Sequence, residues 1–432
     1  MAENESKSAY DKVPSVHKGE VYHSDMAEAI LRVRSFLTLS DTKQVLWYDN
    51  SAGIYKFNGE AIIEQFAQIW LGRLGLEAKA TTHYIQEVTD YIRRDTYVDR
   101  EKLNSNHNIM VVKNGTIELN TGTMLKHSKD FMSTIAIPVV YDASAKCPRI
   151  DKFISEVVEE KNIPLMYEIP AWCMMPYSNI ERLVIFIGGG WNGKTTYMRM
   201  LTEFLGRDNC KAYSMQTLTT NRFAIAGLYG KLANIHDDLP STILRQMSAL
   251  KMLSGGSIVE SEKKFKDSFS FVNTAKLIFT ANQPPEITED TLAIWRRFII
   301  VDFPFEFSGE AENKNLLNEI TTERELSGLL NKVLDSLLRL KKSGDFSYST
   351  SVEETRSKYL LISNPTETFI EEHCEFDSFA KVAKEELYQA YTEFCQENKL
   401  PGLAKKAFGH KIKRTYTLGE ERVTWVGIKL KE

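Results

Sequence analysis

Cysteine is scarce in this sequence and is never arranged in close pairs. The 432 residues include five widely scattered cysteines: Cys147, Cys173, Cys210, Cys374 and Cys395. Their number is odd and no C-x-x-C pair occurs, which argues against a disulfide framework and against a zinc site. We therefore expect a protein of a reducing compartment.

The sequence also lacks a long apolar run and a large excess of charge of one sign. The polar N-terminus has no apolar segment typical of a secretory signal, and apolar runs such as residues 183–187 are far too short to cross a bilayer. The formal net charge of -4 gives no global basic signature, so contact with nucleic acid must come from local patches. These absences predict a cytoplasmic protein with no membrane partner.

The length and the composition indicate a folded, soluble protein of two or three domains. Hydrophobic residues make up 43% and charged residues 26% of the chain, which is average for such proteins. We expect a flexible tail over residues 1–24, because that segment lacks apolar periodicity. We assign a mixed α+β N-terminal domain to residues 25–150, an α/β domain to 151–345 and a small C-terminal domain to 346–432.

Short-range patterns predict the elements of the N-terminal domain. Apolar positions recur with helical period over residues 26–39 and 60–76. Strands are predicted over 45–48 and 54–57, which flank a turn and so form a hairpin. A second hairpin is predicted around the turn signal Asn114-Gly115.

The α/β domain alternates wholly apolar strands with helical stretches such as residues 243–253. This alternation is typical of a central parallel sheet with helices on both faces. The strands are predicted within residues 183–187, 231–238, 275–282 and 296–304.

The C-terminal domain is predicted to be three helices followed by a strand, after a Ser/Gly-rich break at residues 341–350. The helical stretches are residues 366–376, 383–398 and 405–416, and the strand covers 423–430. Helices followed by a short β element suggest a winged helix.

A glycine-rich motif follows the strand at residues 183–187. The stretch GGGWNGKTT fits G-x-x-x-x-G-K-[ST] and lies between a buried strand and a helical stretch. In such a loop backbone N–H groups surround the phosphates, the lysine reaches the β and γ phosphates, and the next hydroxyl binds Mg²⁺. The alternative is a strand-to-helix turn with an ordinary lysine. We predict that ATP is bound by seven residues: Gly188, Gly190, Asn192, Gly193, Lys194, Thr195 and Thr196.

Two acidic residues close the strand predicted within residues 231–238. Asp237 is expected to bind Mg²⁺ together with Thr195, and Asp238 is expected to lie near the attacking water. An exposed acidic turn is the alternative. No Asn-Lys-x-Asp motif for reading guanine follows, which disfavours a switch GTPase.

Polar residues flank the last two predicted strands. Asn282 ends one strand, where its side chain can orient the water that attacks the γ phosphate, although a lone Asn is more often a turn former. Arg296 and Arg297 precede the next strand and could present an arginine finger to a nucleotide held by a neighbouring subunit. A surface ion pair is the alternative for these arginines.

Two basic segments are candidates for DNA contact. In the first, three lysines surround an aromatic ring, a pattern that suits the phosphates and bases of a single strand: Lys263, Lys264, Phe265 and Lys266. In the second, five basic residues lie on one helical stretch and could contact duplex DNA: Lys405, Lys406, Lys411, Lys413 and Arg414. A solvated basic loop and a solvated helix face are the alternatives.

The order of these motifs resembles that of superfamily 3 helicases, specifically the helicase part of phage, plasmid and poxvirus primase-helicases. The resemblance rests on GGGWNGKTT, LSGGSIVESEKKFKDSFSF, FTANQPP and IWRRF, and it extends from about residue 90 to the C-terminal winged-helix segment. It implies an AAA+-like ATPase that forms a ring, usually a hexamer, and moves on single-stranded DNA with 3′ to 5′ polarity during replication. It also implies the lysine, acid, sensor and finger roles given above, with either arginine as the finger.

Two departures from the family limit what is carried over. Many motors have Glu at the second acidic position, so the role of Asp238 as general base is less secure than the Mg²⁺ contact of Asp237. We expect no primase core before residue 90, where no Asp-x-Asp metal-binding pair is found on a predicted strand, and we expect a separate primase or polymerase as a partner. A replication initiator or loader that does not unwind, and more distantly a small-molecule kinase, stay open as alternatives to the helicase.

Overall fold

A computed structural model describes residues 13–175, 180–262, 269–289, 291–309, 313–398 and 400–431. Within these ranges the chain forms five sheets and the helices that pack on them. None of the helices in the same ranges is long and apolar enough to span a membrane.

The N-terminal region is a mixed α/β unit in which helices pack with a four-stranded sheet. The helices are α1 (His23–Val33), α2 (Gly59–Arg73) and α3 (Thr82–Asp95). The strands are β1 (Phe36–Leu39), β2 (Val45–Asp49), β3 (Ile54–Phe57) and β4 (Tyr97–Val98), in the order β3-β2-β1-β4. Trp70 of α2 and Ile92 of α3 are fully buried in one core with Phe36.

The local predictions for this region are confirmed except for the end of the first helix. The first hairpin forms as predicted, with β2 antiparallel to β3, and the second predicted helix is α2. The helix predicted over residues 26–39 is wrong beyond Val33, because the segment from Phe36 pairs as a strand with both β2 and β4. Pairing with distant strands here overrides the local apolar spacing.

A small antiparallel sheet follows, made of β5 (Ile109–Val112), β6 (Gly115–Glu118) and β7 (Met124–Leu125). Val112 pairs with Gly115, which confirms the predicted tight hairpin. A Cβ on Gly115 would lie 2.6 Å from the carbonyl oxygen of Leu125, so β7 can approach only a glycine. Ile117 of this sheet is buried in the core of the central region rather than in that of the helices before it.

The central region contains the predicted parallel sheet, which has five strands, one more than the four predicted. Its strands are β8 (Leu183–Ile187), β9 (Cys210–Lys211), β10 (Ala233–His236), β13 (Lys276–Ala281) and β14 (Phe298–Asp302). The spatial order is β14-β8-β13-β10-β9, and every neighbouring pair is parallel. The carboxyl ends of all five strands therefore lie along one edge of the sheet.

Helices cover both faces of this sheet. On one face lie α4 (Pro148–Val157), α5 (Ile163–Cys173), α6 (Lys194–Leu205), α11 (Leu316–Ile320) and α12 (Glu323–Ser343). On the other lie α7 (Met215–Thr220), α9 (Ser248–Ser254), α10 (Leu292–Trp295) and α13 (Val352–Ser363), while the short α8 (Arg222–Ala226) follows α7. Successive residues of β8 enter the two cores alternately, which explains its continuous apolar sequence.

A two-stranded hairpin of β11 (Ile258–Ser261) and β12 (Phe269–Val272) lies in the chain between α9 and β13. The helix predicted over residues 243–253 is wrong in its first half. Leu244 instead forms an isolated parallel bridge with Ile287, and the helix begins at Ser248.

The C-terminal region packs three helices against a three-stranded antiparallel sheet. The helices are α14 (Pro365–His373), α15 (Lys384–Glu397) and α16 (Lys405–Thr415), and the strands are β15 (Cys374–Ala383), β16 (Gly419–Glu420) and β17 (Thr424–Leu430). Tyr391 and Phe408 stack at 4.4 Å between ring centres in the core. The helices and the last strand were predicted, but the helix over residues 366–376 is wrong beyond His373, where β15 begins.

Candidate active site

The glycine-rich loop connects the end of β8 to the start of α6 over residues 188–193. Gly193 has a φ of +89°, and a Cβ there would lie 2.6 Å from Val157 Cγ1. A Cβ on Gly188 would lie 2.5 Å from the carbonyl oxygen of Phe303. These two glycines are required by sterics, whereas a Cβ on Gly190 would meet no atom within 4 Å.

Lys194 is the first residue of α6, and its side chain folds back over the loop. The ammonium donates to the carbonyl oxygens of Gly188 and Gly189, both at 2.7 Å. It also donates to Asn192 Oδ1 at 3.1 Å and to Asn282 Oδ1 at 3.3 Å. Burial lowers the pKa of Lys194 to about 8, although the nearby Asp237 and Asp238 carboxylates act in the opposite direction.

Asn192 holds the loop in this shape, a role that the sequence alone did not reveal. Its amide donates to the Gly189 carbonyl at 2.8 Å and to the Phe303 carbonyl at 3.3 Å. The neighbouring Trp191 has a φ of +56° and is 60% exposed. The buried Asn192 side chain therefore stabilises the loop through these hydrogen bonds, while the Trp191 side chain is exposed to solvent.

Thr195 and Thr196 lie in the first turn of α6, next to Lys194. Thr195 is exposed and Thr196 is half-buried. The backbone N–H groups at this end of α6 point out of the helix, where they favour an anion. The roles predicted for Thr195 and Thr196 in binding Mg²⁺ and ATP stay predictions.

The acidic pair follows β10 at the same edge of the sheet. Thr280 of β13 donates its hydroxyl hydrogen to Asp237 Oδ1 at 2.5 Å and accepts from the Asp238 backbone N–H at 2.8 Å. Asp238 has a φ of +56°, so the chain turns sharply there, and both carboxylates are exposed. Thr280 was missed from the sequence, although it lies two residues before Asn282 and so on a predictable face of the strand.

Strand order brings the predicted lysine, sensor and acids together. β13 lies between β8 and β10, so Asn282 at its end lies between the glycine-rich loop and the acidic pair. The available oxygen ligands, the Thr195 hydroxyl and the Asp237 carboxylate, are of the kind that Mg²⁺ binds together with phosphate oxygens. The arrangement can hold a phosphate chain and its metal ion at one edge of the sheet.

Arg296 and Arg297 lie at the opposite edge, just before β14. Glu181 accepts from both, at 3.0 Å from Arg296 Nη2 and 2.8 Å from Arg297 Nη2. The side chain of Arg297 is 9% exposed and also donates to the Ala293 carbonyl, whereas that of Arg296 is 57% exposed. Neither arginine reaches the lysine site of its own chain.

The predicted single-strand contacts, Lys263, Lys264, Phe265 and Lys266, lie outside the described residues. The strands on either side of them in the chain, β11 and β12, are described and pair antiparallel with each other.

The basic helix of the C-terminal region is α16, and three of its lysines form ion pairs. Lys405 pairs with Glu385, and Lys413 pairs with Glu420 at 2.5 Å, both within the C-terminal region. Lys411 pairs instead with Glu286 of the central region at 2.8 Å. The other two predicted contacts are exposed: Lys406 and Arg414.

Three family models match separate parts of the chain. Residues 32–159 match the model described as D5 N terminal like. Residues 186–297 match a family of unknown function (DUF5906), and residues 363–424 match the RFX DNA-binding domain.

The chain is also similar to solved structures described as the apo form of the NrS-1 C-terminal region. One covers 94% of this chain and 99% of its own, with 12% identity and a TM-score of 0.48. Another covers 95% of this chain and 100% of its own, with 12% identity and a TM-score of 0.49.

Proposed function

We propose that this chain is an ATP-driven motor of DNA replication, a ring helicase of the superfamily 3 type. The observation that carries the proposal is the meeting of Lys194, Asn282 and the Thr280-bound Asp237 at one edge of a parallel sheet. Each group has a task in phosphoryl transfer: a cation for the phosphates, a polar group for the attacking water and a carboxylate for the metal ion. The match of residues 32–159 to the D5 N terminal model supports a replication role of the primase-helicase kind.

The strand order supports a motor rather than a small-molecule kinase. A strand that ends in a polar residue lies between the lysine loop and the acidic pair, as in AAA+-like ATPases. Asn282 follows this strand directly, and its Oδ1 lies 3.3 Å from Lys194 Nζ, where it can respond to the γ phosphate. A kinase acting on a small acceptor needs no such residue.

The opposite edge of the sheet supports assembly into a ring. Arg296 is exposed there and cannot reach the site of its own chain, but it could reach a nucleotide held by a neighbouring copy. A site completed in this way makes hydrolysis depend on oligomers, and a hexamer is the expected form. When bound, Mg²⁺ would be held by Thr195 and Asp237 and would neutralise phosphate charge.

A second candidate is a replication initiator or loader that binds duplex DNA without unwinding it. The basic helix α16 and the match of residues 363–424 to the RFX DNA-binding domain favour duplex contact. This candidate shares the ATP site and differs in lacking movement along a single strand.

ATP hydrolysis by the full chain, with and without single-stranded DNA, tests the proposal. We expect single-stranded DNA to stimulate the wild-type rate, and Lys194→Ala to lower it by about a hundredfold or more. Replacing Lys263, Lys264 and Lys266 together by Ala should abolish the stimulation and leave basal hydrolysis intact. Normal turnover by Lys194→Ala would refute the phosphate site. Hydrolysis that responds to duplex but not to single-stranded DNA would favour the initiator.

A further inference from the structure

The hairpin of β11 and β12 is attached to the central region through Val259 of β11, which is buried in the core on one face of the central sheet. In the part of the chain that the structure describes, these two strands pair only with each other and belong to neither the central nor the N-terminal sheet. A two-stranded hairpin is marginally stable by itself in water. What packs against the hairpin therefore decides its position and its rigidity.

Three aromatic rings pack at the base of the hairpin. Phe269 and Phe271 are two residues apart on β12 and therefore share one face of the strand. Their rings stack at 5.6 Å between ring centres. Tyr229, which follows α8, meets both rings edge-on at 5.5 Å. This cluster begins at the first described residue after the segment that contains the predicted single-strand contacts.

Arg100 of the N-terminal region covers this cluster. Its guanidinium carbon lies 4.8 Å from the centre of the Tyr229 ring and 5.1 Å from that of Phe269. The other side of the guanidinium is held by the N-terminal region itself, with Nε 2.6 Å from Asp41 Oδ2 and Nη2 3.3 Å from Thr42 Oγ1. The Arg100 side chain is only 10% exposed, whereas the Asp41 side chain is 41% exposed and leaves the ion pair partly open to water.

The charge of Arg100 is maintained in this setting. Burial alone would lower the pKa of Arg100, but the Asp41 carboxylate and Tyr229 outweigh it and raise the pKa above its ordinary value. A planar cation can donate to a carboxylate at its edge while its face lies on an aromatic ring. Arg100 is thus the right residue type to join a carboxylate on one region to rings on another.

We propose that Arg100 is a positioning residue through which the N-terminal region fixes the β11–β12 hairpin relative to the central sheet. Asp41 and Thr42 orient the guanidinium, and the guanidinium in turn orients Phe269 and Tyr229. In the proposed function, the predicted single-strand contacts at residues 263–266 follow β11 and precede β12 in the chain, so a change in these two strands is expected to alter the response to DNA. The DNA part of this inference rests on the proposed function, whereas the mechanical part does not.

Hydrogen exchange of the full chain without DNA tests the mechanical part. Arg100→Ala should speed exchange of the amides in β11 and β12 by about tenfold, because the cation–π and ion-pair contacts are lost. Amides of β8 and β13 should be unchanged. Arg100→Lys should give an intermediate effect, since lysine keeps the charge near Asp41 but cannot stack its face on the rings.

Arg93→Ala is the matched control. Arg93 is also partly buried and paired with two carboxylates, Glu60 at 2.8 Å and Asp90 at 2.7 Å, but it does not touch the hairpin. Its loss should leave exchange in β11 and β12 unchanged. If Arg100→Ala disturbs the whole N-terminal region, Phe269→Leu loosens the same contact from the hairpin side and should reproduce the effect. Unchanged exchange in the hairpin of a folded Arg100→Ala protein, or of Phe269→Leu, would overturn the proposal.

ATP hydrolysis measured against single-stranded DNA concentration tests the functional part. Arg100→Ala should raise the half-stimulating DNA concentration by about tenfold and leave the basal rate unchanged. An unaltered DNA response despite faster exchange in the hairpin would overturn the functional part. Absence of any stimulation in the wild type, with faster exchange in Arg100→Ala, would refute the proposed motor and leave the positioning role standing.

Discussion

Lys194 Nζ donates a hydrogen bond to Asn282 Oδ1 at 3.3 Å, which joins the loop after β8 to the end of the neighbouring strand β13. The same ammonium also donates to two loop carbonyl oxygens, those of Gly188 and Gly189. Its hydrogens are thus already engaged, and a phosphate must replace carbonyl partners to be bound. Nucleotide binding and the position of Asn282 are coupled through this one cation.

ATP binding should take up protons above about pH 8. The pKa of Lys194 is lowered to about 8 in the free protein, so the side chain loses its proton as the pH rises through that value. Phosphates favour the charged form, so affinity should fall by up to about tenfold per pH unit above pH 8. Calorimetric titration near pH 9 in two buffers with different ionisation enthalpies would measure the uptake directly.

Lys276→Met provides the control for that experiment. Burial also lowers the pKa of Lys276 to about 8, but this residue lies at the other end of β13. Proton uptake on ATP binding should therefore persist in the variant. Uptake that disappears with Lys276, or that is absent in the wild type, would contradict the assignment to Lys194.

Thr280→Val should weaken metal-dependent hydrolysis without disturbing the fold. The Thr280 hydroxyl bonds both the Asp237 carboxylate and the Asp238 backbone, so it orients the predicted Mg²⁺ ligand. Residues that hydrogen-bond a metal ligand without binding the metal themselves typically contribute about tenfold to a hundredfold in metal affinity or activity. We expect the Mg²⁺ concentration that half-activates hydrolysis to rise within that range.

Thr274→Val tests whether the effect belongs to the site. Thr274 is also buried, but its hydroxyl donates to the Lys231 carbonyl at 3.1 Å, just before the start of the same strand. This variant should keep the wild-type Mg²⁺ dependence. Equal shifts of the half-activating Mg²⁺ concentration in the two variants would show that loss of any buried hydroxyl near β13 is sufficient to raise it.

We expect Arg296 to be needed for ATP hydrolysis and Arg297 to be needed for stability. Arg297→Ala should destabilise the protein by about 2 kcal/mol, because it removes a buried side chain that donates to Glu181 and to the Ala293 carbonyl oxygen. Arg296→Ala should change stability by less than about 0.5 kcal/mol, since its side chain is exposed. It should abolish hydrolysis, because Arg296 is the proposed arginine finger. Urea unfolding and ATP turnover measure the two effects.

Mixed oligomers decide whether Arg296 acts on a neighbouring copy. Subunits with Arg296→Ala still carry Lys194, and subunits with Lys194→Ala still carry Arg296. Mixing them should restore part of the activity at the interfaces that combine both intact groups. No recovery at any ratio would count against a shared site.

Local patterns were sufficient for the parts of the fold that depend on neighbouring residues. The buried strand before Gly188 and the tight hairpin turn between Val112 and Gly115 both follow from short sequences, and both are found. Strand β1 was missed because its conformation depends on pairing with β2 and β4, and β15 was missed because it pairs with β17 at the end of the chain. Thr280 was missed for a related reason, since its hydroxyl acts on a carboxylate of another strand.

Lys411 makes a contact that could not be predicted from the sequence, because its partner lies in another region of the chain. From the sequence it is one of five basic residues in a predicted DNA-binding helix. In the structure it pairs with Glu286, which lies four residues after Asn282. The segment containing Glu286 is also held by Tyr359, which donates to the Pro285 carbonyl at 2.7 Å. Lys411 therefore belongs to the contact between the C-terminal and central regions.

Charge reversal of this pair distinguishes the two roles of Lys411. Lys411→Glu places a carboxylate against Glu286 and should displace the segment after Asn282, which lowers basal ATP hydrolysis by about fivefold. Adding Glu286→Lys should restore most of the rate. Lys413→Glu is the control on the same helix, because its partner Glu420 lies within the C-terminal region. It should weaken duplex DNA binding and leave basal hydrolysis unchanged. If both lysine variants weaken DNA binding equally and neither alters hydrolysis, Lys411 is a DNA contact, as its sequence position predicts.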